Sequence, residues 1–150
     1  MERTMLHGGI RLTSAANHVE VTLVERLDSH SPAPGDVRLS VSVTMDGFCG
    51  KCDHVWIGCD TWRAFISALR QVERDRVGHA AVESLSPDEF MLRIEIVNRA
   101  RRMAASGWLA KYHLGRSMGR AARSRIEFDL ELDPSMLRTW ADSFAPPGPQ

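Results

Sequence analysis

The chain has 150 residues and a mass of 16.8 kDa, a length that suits one domain around a single core. Hydrophobic residues make up 43% and charged residues 25%, which excludes a disordered or fibrous chain. Its 19 basic and 19 acidic residues cancel, which argues against a wholesale electrostatic binder of DNA or membrane.

The expected domain covers residues 1–144. Met1 to Ile10 lacks the charged-then-apolar layout of a secretory signal. No apolar run approaches the roughly 18 residues that cross a bilayer, and a cytoplasmic protein is expected. Gly9 to Thr13 reads as a short edge strand. In Val19 to Leu27, residues Val19, Val21, Leu23 and Leu27 share one face and Glu25 breaks the row. Ser31-Pro-Ala-Pro-Gly35 makes the stretch from Asp28 to Asp36 a loop. Val37 to Met45 alternates strictly, the mark of a half-buried strand. Asp46-Gly47 is a turn signal, and His54 to Gly58 reads as the next strand.

Asp60 is the expected N-cap of a helix over residues 60–75. Trp62, Phe65, Ile66, Leu69 and Val72 recur at helical spacing, with Arg63, Ser67, Arg70 and Arg74 opposite. His79 to Leu85, Phe90 to Ile96, Trp108 to Leu114 and Ile126 to Leu132 are further strands. The last sets Ile126, Phe128, Leu130 and Leu132 against Glu127, Asp129 and Glu131. Asp133-Pro134 opens a second helix over 134–144, with Asp133 as its N-cap. Pro146-Pro-Gly-Pro149 ends it, and residues 145–150 read as a mobile tail. Both halves end in strand–Asp–helix, the outline of a weak internal duplication. The pattern predicts an α+β fold: a mainly antiparallel, twisted sheet of about seven strands, with two helices on one face. The expected core comprises Leu39, Val41, Val43, Trp62, Phe65, Ile66, Leu69, Leu92, Ile94, Phe128, Leu130, Leu137 and Trp140.

Chemistry-bearing groups are few. Cys49-Gly-Lys-Cys52 has C-x-x-C spacing, and Cys59 lies close by. A zinc site from Cys49, Cys52, Cys59 and His54 would lack a second paired motif, and a redox pair would lack a helix start at Cys49. No nucleophile elbow, phosphate loop or metalloprotease motif is present, so the expectation is a protein without catalysis or cofactor. Between Arg99 and Arg125 the chain carries eight basic residues and no acid, and three acids follow within seven residues. This pattern suits either a basic surface for an acidic or phosphate-bearing partner, or a hairpin in which basic and acidic positions neutralise each other.

An ordered string of features resembles the WapI-type immunity proteins of bacterial polymorphic toxin systems. Gly47-Phe48-Cys49-Gly50 is similar to the family's G-F-x-G. Phe65 and Leu69 match its F-x-x-x-L. Gly78-His-Ala-Ala-Val-Glu-Ser84 is similar to its G-x-A-x-x-x-S, and Phe90 to Ile96 matches its amphipathic strand. Phe128-Asp-Leu-Glu-Leu-Asp-Pro-Ser135 with Leu137 resembles its F-x-F-x-I-D-Q-S/T-x-L ending. Together these span roughly residues 37 to 144. The resemblance implies a non-enzymatic protein that neutralises a cognate toxin by direct binding. Its candidate contact residues are Glu127, Asp129 and Glu131 on one strand face, and Arg116, Arg120, Arg123 and Arg125 in the basic stretch. Two alternatives stand beside it: a phosphate or nucleic-acid binding module using Arg99 to Arg125, and a small metal-binding protein using Cys49, Cys52 and Cys59. Only Trp108 and Tyr112 offer bases a stacking surface in that stretch, which makes nucleic acid the weaker partner.

Overall fold

The computed structural model describes residues 4–97, 102–114 and 121–144. Its order is β1 (Thr4–Ser14), β2 (Asn17–Arg26), β3 (Val37–Met45), β4 (Phe48–Ile57), α1 (Cys59–Asp75), β5 (His79–Glu83), β6 (Phe90–Ile96), β7 (Met103–Leu114), β8 (Ala121–Leu132) and α2 (Leu137–Phe144). The expected α+β class holds, but the single seven-stranded sheet does not. The strands form two antiparallel four-stranded meanders, β1-β2-β3-β4 and β5-β6-β7-β8, each followed by a helix. The physical reason is α1. It separates β4 from β5 in the chain and lies against β5, so the next four strands build a second sheet. The repeated strand–Asp–helix endings correspond to two successive units of four strands and a helix.

One continuous core joins both sheets and both helices. The sheets meet through β1, β3 and β4 on one side and β7 and β8 on the other. Gly50 on β4 makes part of this approach possible: a Cβ there would sit 2.7 Å from Ile126 Cδ1. The helix α2 lies against β1, and the two helices touch. Every expected core residue is buried except Ile66, which is partly buried beside a cavity described below.

Local signals hold where the chain alone decides them. Met45 pairs with Phe48 across Asp46-Gly47, both at positive φ (50° and 86°), as a two-residue hairpin turn of the inverted type requires. Asp133 caps the 3-10 turn Pro134–Met136, its carboxylate accepting the Ser135 N–H at 2.9 Å. Asp60, by contrast, is not the N-cap of α1. Gly58 holds that position in extended conformation, and the Cys59 N–H donates to Asp36 Oδ1 at 2.8 Å. Asp60 sits inside the first turn, where its charge suits the helix dipole. The edge strand β1 is longer than the predicted 9–13, and β7 begins five residues before Trp108.

Each pairing of the first sheet carries a register shift, the first between Met5 and Gly8 in β1. The register slips again between Leu23 and Glu25 in β2, and where Asp53 and His54 of β4 both face Ser40 of β3. Arg38 on β3 ties the latter two together. Its Nε donates to Glu25 Oε1, and its Nη1 donates to the Asp53 carbonyl at 2.7 Å. The Ser40 hydroxyl donates to Asp53 Oδ1 at 2.7 Å and holds that carboxyl below its ordinary range. The bulge in β2 also reassigns two charges. Glu25 registers with Arg38 and is buried, at 3% exposure, while Arg26 registers with the buried Val37 and turns toward α1.

Candidate functional site

The predicted contact residues fall on the hairpin of β7 and β8. Its register runs unbroken from Met103↔Leu132 to Leu114↔Ala121. Phe128, Leu130 and Leu132 therefore all point into the core, and Glu127, Asp129 and Glu131 are exposed on the other face. Arg123 and Arg125 are exposed on the same strand. Arg99, Arg101, Arg116 and Arg120 lie outside the described residues, as does the tail 145–150.

Basic and acidic positions interleave on this face. Arg125 Nη2 lies 3.0 Å from Glu127 Oε1, and Arg102 Nη1 lies 3.7 Å from Glu131 Oε1. The Arg125 guanidinium also sits 4.3 Å from the Trp108 ring centre, and Arg123 sits 5.5 Å from that of Tyr112. Arg123 further donates to the Asp88 carbonyl at 3.3 Å. The hairpin thus neutralises much of its own charge, as one of the two sequence readings expects. It also builds two arginine–aromatic stacks whose geometry pre-orders long side chains. Tyr112 is 53% exposed, and Phe48, at the start of β4, is 74% exposed. Phe48 and Arg125 border a shared cleft of about 410 Å³ between β4 and the β7–β8 hairpin.

Gly107 keeps this hairpin close to β6. A Cβ at Gly107 would lie 1.9 Å from the Met91 carbonyl oxygen, and its φ is +152°, so no other residue fits there without a shift. Alternation explains why Trp108 and Tyr112 face outward. Met103, Ala105 and Leu109 fill the inner positions of β7, so the apolar row at Trp108, Ala110 and Tyr112 belongs to the outer face, with only Ala110 buried.

The cysteines do not converge. On β4, Cys52 registers with the buried Val41, whereas Cys49 registers with Thr44 on the opposite face. An odd spacing within a strand separates side chains in this way. Cys59 begins α1, with its sulfur beside Gly35, and His54 is exposed in the bulge. Among the described residues, no three of His, Cys, Asp and Glu group as metal ligands. Burial pushes the Cys52 thiol above its ordinary range, and the Glu89 carboxylate beside it, 3.5 Å from the sulfur, adds to that shift. These surroundings favour the protonated thiol over the nucleophilic thiolate.

A second concavity lies between α1, α2 and the connection from β2 to β3. It has a volume of about 410 Å³. Cys59, Trp62, Ile66 and Arg70 mark one line along α1, with Arg63 and Ser67 beside them; Arg26 and Gly35 lie opposite, and Phe144 comes from α2. Trp62 stacks edge-on against Phe144 at 5.1 Å. Two residues that line it, Arg26 and Trp62, each carry a buried donor, Nε and Nε1, with no hydrogen-bond partner among the described residues. The sequence placed Arg63, Ser67 and Arg70 on the solvent side of α1; they form the cavity's open rim. Arg26 had no signal of its own, since strict alternation puts it outside and only the bulge turns it in.

Compared with known proteins, the chain matches no family model, no curated protein and no solved structure.

Proposed function

We propose that this chain is a non-catalytic binding protein of the immunity type, which neutralises a cognate bacterial toxin by direct contact through the outer face of β7 and β8. The observation that carries this reading is the aromatic–arginine surface formed by Tyr112, Arg123, Trp108 and Arg125, with Phe48 beside it. Arginine and large aromatics dominate the energetics of protein interfaces, because they bury much area at little conformational cost. Glu127, Asp129 and Glu131 supply the charged border that fixes the register of a partner. The motif string from Gly47 to Leu137 supports the same reading, which places the protein in the cytoplasm with its toxin.

The test is calorimetric titration of the purified chain with the product of the gene directly upstream of its own. A one-to-one complex that suppresses the toxin's activity is expected. Tyr112→Ala and Arg125→Ala each weaken it about tenfold or more. Glu20→Ala, on the outer face of the first sheet, leaves it unchanged. Absence of binding, or equal effects of all three substitutions, overturns the reading.

The nucleic-acid alternative draws less support. Arg102 and Arg125 already face Glu131 and Glu127, and each such pair leaves less positive charge for a phosphate backbone. The metal alternative would require Cys49 and Cys52 to reach one ion from opposite faces of β4.

A further inference from the structure

We propose that the cavity between α1, α2 and the β2–β3 connection binds a small organic carboxylate carried on a compact apolar body. Its volume, about 410 Å³, lies within the range of small-molecule sites. Its charge is one-sided: among the described residues, Arg26, Arg63 and Arg70 border it and no acidic residue does. Of the acids close to the lining residues in the chain, Glu25 pairs with Arg38, and Asp60 is exposed in the first turn of α1. Asp142 lies 3.6 Å from Arg70 on the exposed side, and Asp36 Oδ1 accepts the Cys59 N–H.

Two of the lining residues carry donors without a partner among the described residues, which favours a ligand that offers acceptors. Arg26 Nε and the indole Nε1 of Trp62 are buried and unsatisfied, and Trp62 is only 2% exposed. Neither a guanidinium nor an indole N–H can accept a hydrogen bond, so the complementary atoms are acceptors. A carboxylate supplies two acceptor oxygens in one plane, which matches arginine geometry. The remaining wall, formed by Trp62, Ile66 and Phe144, is apolar and suits an aromatic or short alkyl body. A bare inorganic anion would leave that wall uncovered and would have to shed its water on every side. The exposed rim of Arg63, Ser67 and Arg70 gives the ligand a way in from solvent. None of these residues belongs to the β7–β8 surface, so the inference stands independently of the toxin-binding reading.

The test titrates the whole chain with 2-naphthoate, its uncharged counterpart 2-naphthalenemethanol, and inorganic phosphate. Heat is measured by calorimetry, and the tryptophan indole N–H resonances are followed by NMR. One 2-naphthoate per chain is expected, bound at least about tenfold tighter than the alcohol. The Trp62 indole resonance should move as its N–H gains an acceptor. Arg26→Met should weaken naphthoate about tenfold, and Arg63→Met about threefold, with binding of the alcohol unchanged. Arg63 is exposed, so that variant decides the question even if Arg26→Met fails to fold. Equal binding of acid and alcohol, displacement of naphthoate by phosphate, a shift at Trp108 in place of Trp62, or no loss in Arg63→Met would each overturn the proposal.

Discussion

The two halves of the molecule share one plan and differ in regularity. In the second half, β7 and β8 pair over their full length without a register shift. Every acidic side chain of β8 therefore stays on the outer face, and the result is a charged and aromatic surface. In the first half, register shifts interrupt all three pairings, β1–β2, β2–β3 and β3–β4. The bulge in β2 exchanges the faces of Glu25 and Arg26, burying an ion pair with Arg38 and sending an arginine into a concavity. The same four-strand-and-helix unit thus yields two different kinds of candidate site.

The largest effect should come from the element that joins the halves. Leu69 on α1 is fully buried, and Leu69→Ala should lower stability by about 2–5 kcal/mol in urea unfolding, with a single transition. Two separate transitions would show that the halves fold independently and would break the comparison at its root. Next, Arg38→Ala removes the clamp between the β2 and β4 bulges and leaves Glu25 without that cation. A loss of about 1.5–3 kcal/mol, the worth of a hydrogen bond to a charged group, is expected. A loss under about half a kcal/mol would mean that the bulges hold without Arg38.

Gly107→Ala tests the regular half, because its added methyl meets the Met91 carbonyl. A cost of about 1–3 kcal/mol in thermal or urea unfolding is expected, and a neutral result would show that β6 and β7 can separate at no cost. The smallest effect concerns Asp133. The Ser135 N–H holds its carboxyl below the ordinary range. A group depressed on folding stabilises the protein above its unfolded pKa, and that contribution is lost as pH falls through the lower folded value. Wild-type stability should therefore drop on acidification below about pH 4, more steeply than that of Asp133→Ala; parallel profiles would remove the cap from the account.

The surface on β7–β8 was largely legible in the sequence. The period-two alternation of Ile126 to Leu132 assigns Glu127, Asp129 and Glu131 to one exposed face, whichever strand lies alongside. The inward and outward rows of β7 were not so legible, since Trp108 and Tyr112 are large and apolar enough to pass for core. The cavity was not legible at all. Arg63 and Arg70 occupy the polar side of an amphipathic helix, and nothing local reveals that β2 and α2 come up beside them.

Local pattern by itself determined the α+β class, a helix over residues 60–75, the Asp46-Gly47 turn, the Asp133 cap and nearly all of the core. Each depends on interactions within a few residues, or on a side chain's simple preference for apolar surroundings. Only tertiary structure decided that eight strands divide into two sheets, that Asp36 rather than Asp60 bonds the first N–H of α1, and that Glu25 and Arg26 trade faces. Those outcomes depend on strand register, set by partners distant in the chain. A shift of one residue in register reverses which side chains are buried without altering the hydrophobic pattern that a sequence displays.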